Sequence, residues 1–197
     1  RFAPELPEKH TALRGLVAGQ IAKTTLCFRE RFWQHAHGPG GRALRDLNFV
    51  HAFERPVPTF WTEAPFVTPV IVAWAGAGAA ARLFAAGRET RDALLLAELA
   101  HTLGQPVRTL HELLHGSFHH DWRADPYARC AYGYVAAGGE RAAERLARPV
   151  EQTLFFAGEA TDAERMGTVE AALRSGQRAA REVAVACASG ARPGPGR

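Results

Sequence analysis

Thr153-Leu-Phe-Phe-Ala-Gly-Glu-Ala-Thr161, followed after a short polar loop by Gly167-Thr-Val-Glu-Ala-Ala-Leu-Arg-Ser-Gly-Gln-Arg-Ala-Ala180, is the stretch on which the fold turns. The apolar run Leu154-Phe155-Phe156-Ala157 is too short for a helical period and is bounded by polar residues and Gly158, which predicts a buried strand. Gly167 or Thr168 can cap a helix that runs to about Cys187. Ala172, Gly176, Ala179, Ala180, Val169 and Val183 fall on one side of it and Glu170, Arg174, Gln177, Arg178 and Arg181 on the other. Gly176 lowers helix stability by roughly 1 kcal/mol relative to Ala, so close approach to another backbone is its expected use. The first turn of such a helix leaves N–H groups unpaired beside a partial positive charge, which suits an anionic or electron-rich ligand edge. An ordinary βα unit with a Gly-rich connection satisfies the same pattern.

Outward from this stretch, 197 residues with 47% apolar content allow one large domain or two small ones with a real core. The longest apolar run, 67–81, is broken by Pro69, Gly76 and Gly78 and is too short to span a bilayer. The net charge of +4 is almost wholly arginine, since Lys9 and Lys23 are the only lysines. Basic and acidic residues alternate without a block, which describes a solvated surface and not a nucleic-acid-binding one. Cys27, Cys130 and Cys187 are odd in number and far apart, so neither a disulfide framework nor a zinc cluster is expected, and a reducing, cytoplasmic setting fits. Phe2-Ala-Pro-Glu-Leu-Pro7 reads as the middle of a protein, and the tail 191–197 as a flexible stop.

Along the chain, helices are expected at 8–16, 78–86, 88–103, 107–115 and 139–146, the last on the surface. Strands are expected at 20–28, 47–53, 59–61, 67–74 and 117–122, with a turn-rich loop at 123–129.

The closing stretch resembles the C-terminal flavin-binding signature of the FAD-dependent amine oxidases, the superfamily of monoamine, polyamine and L-amino-acid oxidases and the flavin-dependent histone demethylases. Two further blocks in the same order carry the likeness: Ala18-Gly-Gln-Ile-Ala-Lys-Thr-Thr-Leu-Cys-Phe28 with Phe32-Trp33, and Trp122-Arg-Ala-Asp-Pro-Tyr-Ala-Arg129 with Tyr132 and Tyr134. The resemblance implies a mixed α/β fold: a partial substrate-binding domain over 1–120 and a C-terminal FAD-binding portion of Rossmann-like character over 121–190. It implies FAD as cofactor and a small-molecule amine as substrate, oxidised to an imine by hydride transfer, with peroxide formed on reoxidation.

Residue by residue, the likeness makes Lys23 a candidate catalytic group that holds a water near the reactive flavin nitrogen. A strand lysine can be buried with a lowered pKa, although an exposed edge-strand lysine fits the same residues. Tyr132 corresponds to one wall of an aromatic cage for the amine, while Thr168 stands where monoamine oxidases place the second wall. That departure favours polyamines or other extended amines. Trp122 would pack along the flavin or, equally, in a core. Glu159 would bond a ribityl hydroxyl, Gly158 would let the backbone approach, and Gly167, Thr168 and Val169 would open the helix toward the pyrimidine end of the ring. Cys130 and Ala171 replace family glycines and add bulk near the cofactor.

The dinucleotide-binding Gly-x-Gly-x-x-Gly unit is absent from the chain, so the missing half is expected in cis or on a partner chain, and these residues alone should bind FAD poorly. A non-catalytic amine-oxidase-like module is the second reading. Two motifs compete with both. His111-Glu-Leu-Leu-His115 is a formal zinc-protease pattern if both histidines share a helix face, though Phe118 does not suit its extended form. Gly76-Ala-Gly78 imitates a dinucleotide fingerprint but leads into a helix where a second strand is needed, so a close strand-to-helix turn is the better account.

Overall fold

The computed structural model describes residues 2–190, and the predicted flexible tail, 191–197, lies outside them. In chain order the elements are α1 (Pro7–Arg14), β1 (Leu16–Ala18), β2 (Ile21–Phe28), β3 (Phe49–His51), β4 (Thr59–Thr62), β5 (Val70–Gly76), α2 (Ala77–Ala85), α3 (Arg88–Leu103), α4 (Val107–Leu113), β6 (Leu114–His119), β7 (Gly133–Val135), α5 (Ala142–Ala147) and α6 (Val169–Ala188). The chain is of mixed α/β class, as expected. Its described residues form two compact units: 20–129, and 2–19 together with 130–190. The first residues thus group with the last.

The unit of residues 20–129 is built on a five-stranded sheet in the order β3-β4-β5-β2-β6, every ladder antiparallel. Period-two alternation along β2 sends Ala22, Thr24, Leu26 and Phe28 into the interior. There Leu26 meets a core of Phe60, Ile71, Ala73, Leu95, Leu96 and Leu99, all fully or almost fully buried. Helix α3 has the expected bounds because glycines punctuate both ends. Gly87 stands before it, and Gly104 at φ 64° closes it with an N–H to the carbonyl of His101.

Three expectations in this unit give way to the sheet. The helix expected to reach His115 stops at Leu113, because Leu114 turns extended (φ −62°, ψ 120°) to pair with Phe28. The next strand is therefore Leu114–His119 and not 117–122. Lys23 is not on an edge, since β2 lies between β5 and β6. Gly76 ends β5 and leads directly into α2, but the turn is not a close one, since a methyl there would make ordinary contacts with the Ile21 and Trp74 side chains at 3.4 and 3.5 Å. Glu98, where the dinucleotide motif would want a strand end, is buried on α3 in a bidentate pair with Arg55 at 2.9 and 3.0 Å.

In the other unit β1 pairs antiparallel with β7, placing Ala18 opposite Gly133. Helix α5 is less of a surface helix than expected, because Ala142 and Ala143 are buried. Lys9 on α1 is 5% exposed. Its Nζ donates to the carbonyls of Arg145 and Leu146 at 2.9 Å each, and to that of Arg148. It thereby satisfies carbonyls that the end of α5 leaves free, and lies 4.3 Å above the Phe156 ring.

The strand expected at 154–157 does not form. Only an isolated bridge joins Val150 to Leu154, because no described strand offers the run a ladder. Its polar groups turn to α6 instead: Arg178 donates to the Phe156 carbonyl at 2.8 Å, and the Gly158 N–H donates to the Ser175 hydroxyl at 2.9 Å. The buried stripe of α6 is Ala171, Ser175, Ala179 and Ala186, of which only Ala179 lies on the expected apolar side, and Val169 is 78% exposed. Gly176 makes no close backbone approach, since a methyl there would meet nothing within 4 Å.

Candidate functional site

The loop into α6 is organised by one carboxylate. Glu159 accepts from the Gly133 N–H through Oε1 at 2.8 Å and from the Gly167 N–H through Oε2 at 2.7 Å. This ties β7 to the entry of α6. Tyr132, next to Gly133, lies with its ring 3.3 Å from where a Gly167 Cβ would stand, and Gly167 has φ 83°. Only glycine lets the chain turn there against the ring. Tyr132, Glu159 and Gly167, named separately from the sequence, are therefore one cluster.

Gly158 sits at φ 133°, ψ 159°, backbone space that is essentially glycine's own, with open space where a side chain would be. Thr168 is the N-cap of α6: its hydroxyl accepts from the Ala171 N–H at 3.0 Å and donates to the Arg165 carbonyl at 2.7 Å. Thr168 and Val169 are both exposed. Ala171 is completely buried and Cys130 half-buried. An open glycine, an exposed first helical turn and a loop held by backbone N–H bonds suit the flat, electron-rich edge of a flavin. Glu159 would meet such a ligand through lone pairs its two backbone bonds leave free. Beside it, Arg174 bridges Asp162 at 3.2 Å and Glu164 at 2.9 Å, and Arg165 pairs with Glu170, whose carboxyl it holds below the usual range.

Lys23 and Trp122 belong to the unit of residues 20–129. Lys23 is on the outward face of β2, exposed rather than buried, opposite Trp74 and with its Nζ 5.8 Å from the centre of the Trp61 ring. That face continues as a column of flat rings. Trp61 stacks on Phe49 (5.6 Å, 25°), Phe49 on His51 (6.1 Å, 16°), and His51 on Phe53 (5.2 Å, 7°). Trp122 is 51% exposed, so it is no core tryptophan, and meets His120 edge-on at 4.3 Å.

Beneath Lys23, His119 Nδ1 is 3.2 Å from the Lys23 carbonyl and 3.1 Å from Thr24 Oγ1. Burial, with Arg91 adding to it, holds its pKa below the ordinary 6.5. Asp121 is held below the carboxylate range by its bond from Arg123, which also stacks 3.6 Å over Phe84. Sequence reasoning passed over His119, Trp61, Ser175 and Arg178. Only the strand register or a helix-to-loop contact brings them to the named residues. The zinc pattern fails, because His111 is helical and His115 lies on a strand.

The human lysine-specific histone demethylase 2 is 31% identical over 93% of this chain and 22% of its own length. The pig flavin-containing amine oxidase A is 28% identical over 92% of this chain and 34% of its own. An Arabidopsis thaliana lysine-specific histone demethylase 1 homologue is 29% identical over 91% of this chain and 11% of its own. A redesigned putrescine oxidase shares the fold, with a TM-score of 0.76 at 24% identity over 94% of this chain and 39% of that one. The chain thus spans about a third or less of these curated relatives. Residues 1–184 match the family model for flavin-containing amine oxidoreductase, so this chain belongs to that family, whose cofactor is FAD.

Proposed function

We propose that this chain is the C-terminal portion of an FAD-dependent amine oxidoreductase. In this reading residues up to about 120 serve substrate binding, residues 121–190 the flavin, and the dinucleotide-binding half is supplied by the rest of the protein. The observation that carries the reading is the Glu159 clamp, which joins Gly133, the neighbour of Tyr132, to Gly167 at the entry of α6. FAD, when bound, would supply the acceptor for the hydride that leaves the carbon next to the amine nitrogen, with oxygen as terminal oxidant and peroxide as its product.

The chain's own residues orient and tune. The Gly158–Val169 loop and the first turn of α6 receive the ring and ribityl end, and the helix N-terminus favours negative charge there. Tyr132 offers an aromatic face to the amine. Lys23 holds a water by its ammonium, flanked by Trp61 and the ring column of β3 and β4.

The test is made on the complete protein. It should purify with flavin and release peroxide with an amine. The names of its relatives make a methylated lysyl histone peptide, a simple amine and putrescine the first substrates to screen. Replacing Lys23 by Met should slow flavin reduction or reoxidation by about tenfold or more, about 1.4 kcal/mol of barrier. Unchanged rates in both half-reactions would remove Lys23 from the site, and a colourless protein without peroxide release would favour a non-catalytic module.

A further inference from the structure

In the unit of residues 20–129, the segment after β2 lines an open cavity of about 640 Å³ formed by Arg31, Gln34, His35, His37, Arg45 and Asp46, among others. Its polar side chains are nearly all able to donate. Two guanidinium groups, two imidazoles and an amide face it, against one carboxylate. Among the described residues neither arginine makes an ion pair, and Asp46 makes none either, so the positive charge is not neutralised from within.

The imbalance extends inward. The Nε of Arg31 is buried without an acceptor, and so is the Nε1 of Trp33, a residue with no exposed surface. The Arg31 guanidinium lies 5.8 Å from the Trp33 ring, which restrains the arginine's orientation. A buried donor without a partner is destabilising, and the partner that Arg31 lacks at the cavity is an acceptor. Planar guanidinium donors beside imidazoles match the oxygens of a phosphate group better than a single carboxylate, because several oxygens are presented at once.

We infer that this cavity is an anion site for a small molecule bearing a phosphate group, with Arg31 and Arg45 as its principal donors. The inference stands apart from the amine-oxidising reading, which uses none of these residues.

The test is calorimetric titration of the intact, FAD-saturated protein with inorganic phosphate and with pyrophosphate, at constant ionic strength set by sodium chloride. Saturable binding is expected, tighter for pyrophosphate. Arg31→Gln and Arg45→Gln should each weaken it by about tenfold, while Arg108→Gln on exposed α4 leaves it unchanged. Arg45 is exposed, so its variant tests the site even if Arg31→Gln fails to fold. No saturable heat in the wild type, or equal binding by the Arg45→Gln protein, overturns the inference.

Discussion

His119 Nδ1 lies 3.2 Å from the backbone oxygen of Lys23 and 3.1 Å from Thr24 Oγ1. The strand bearing the lysine is thereby tied to β6 by an imidazole whose Nε2 is buried and unpartnered among the described residues.

A pH dependence follows. The folded pKa of His119 is below its ordinary 6.5, chiefly through burial. The unfolded chain then binds a proton at higher pH than the folded one, so His119 costs nothing well above pH 6.5 and destabilises increasingly as pH falls through that value toward the folded pKa. Denaturant midpoints at about pH 7.5 and pH 5.5 should fall less for His119→Asn than for the wild type. Parallel losses in the two proteins would contradict this.

Glu159→Gln should separate charge from shape. The carboxylate accepts two backbone N–H bonds, one on each oxygen, whereas an amide offers only one oxygen. One of Gly133 and Gly167 must lose its acceptor, at a cost of roughly 1–3 kcal/mol. Thermal unfolding reads the loss, and flavin retention through gel filtration should fall with it.

Two glycines with equal room should respond in opposite directions. A methyl meets nothing within 4 Å at either Gly158 or Gly176. Gly158→Ala places a side chain at φ 133° and should destabilise by about 1–3 kcal/mol. Gly176→Ala inside α6 should stabilise by about 0.5–1 kcal/mol. Equal effects would mean that space, not backbone conformation, governs both sites.

Lys9→Met should be costly although Lys9 touches none of the candidate site residues. It leaves three carbonyls at the end of α5 without their donor and removes the cation over Phe156. A loss of about 1–3 kcal/mol is expected, with unaltered amine turnover at temperatures where the variant stays folded.

What the sequence made legible is what neighbouring residues decide. Glycines at both ends of a periodic apolar run set α3 at Arg88–Leu103, alternation placed β2, and a threonine before a run of helix formers placed the start of α6. Residues whose partners are distant were misread. Nothing near Lys9 in the sequence marks its role, because its acceptors lie 136 to 139 positions away. Leu154–Ala157 has the composition of a strand, but a strand needs a ladder, and the described residues give it arginine and serine from α6 instead. The histidines of the zinc pattern separated because Leu114 gained more from pairing with Phe28 than from one more helical turn. In the candidate site, the family resemblance named Tyr132, Glu159 and Gly167, but only the fold brings them together.

The Glu159 clamp also makes the two segments it joins a single lever. Gly133 and Gly167 hang from opposite oxygens of one side chain, so a displacement of the residue after Tyr132 bears on the residue before the N-cap of α6. A substitution that tilts Tyr132 would therefore reach the positive end of that helix, and with it the electrostatic field that any group seated there experiences.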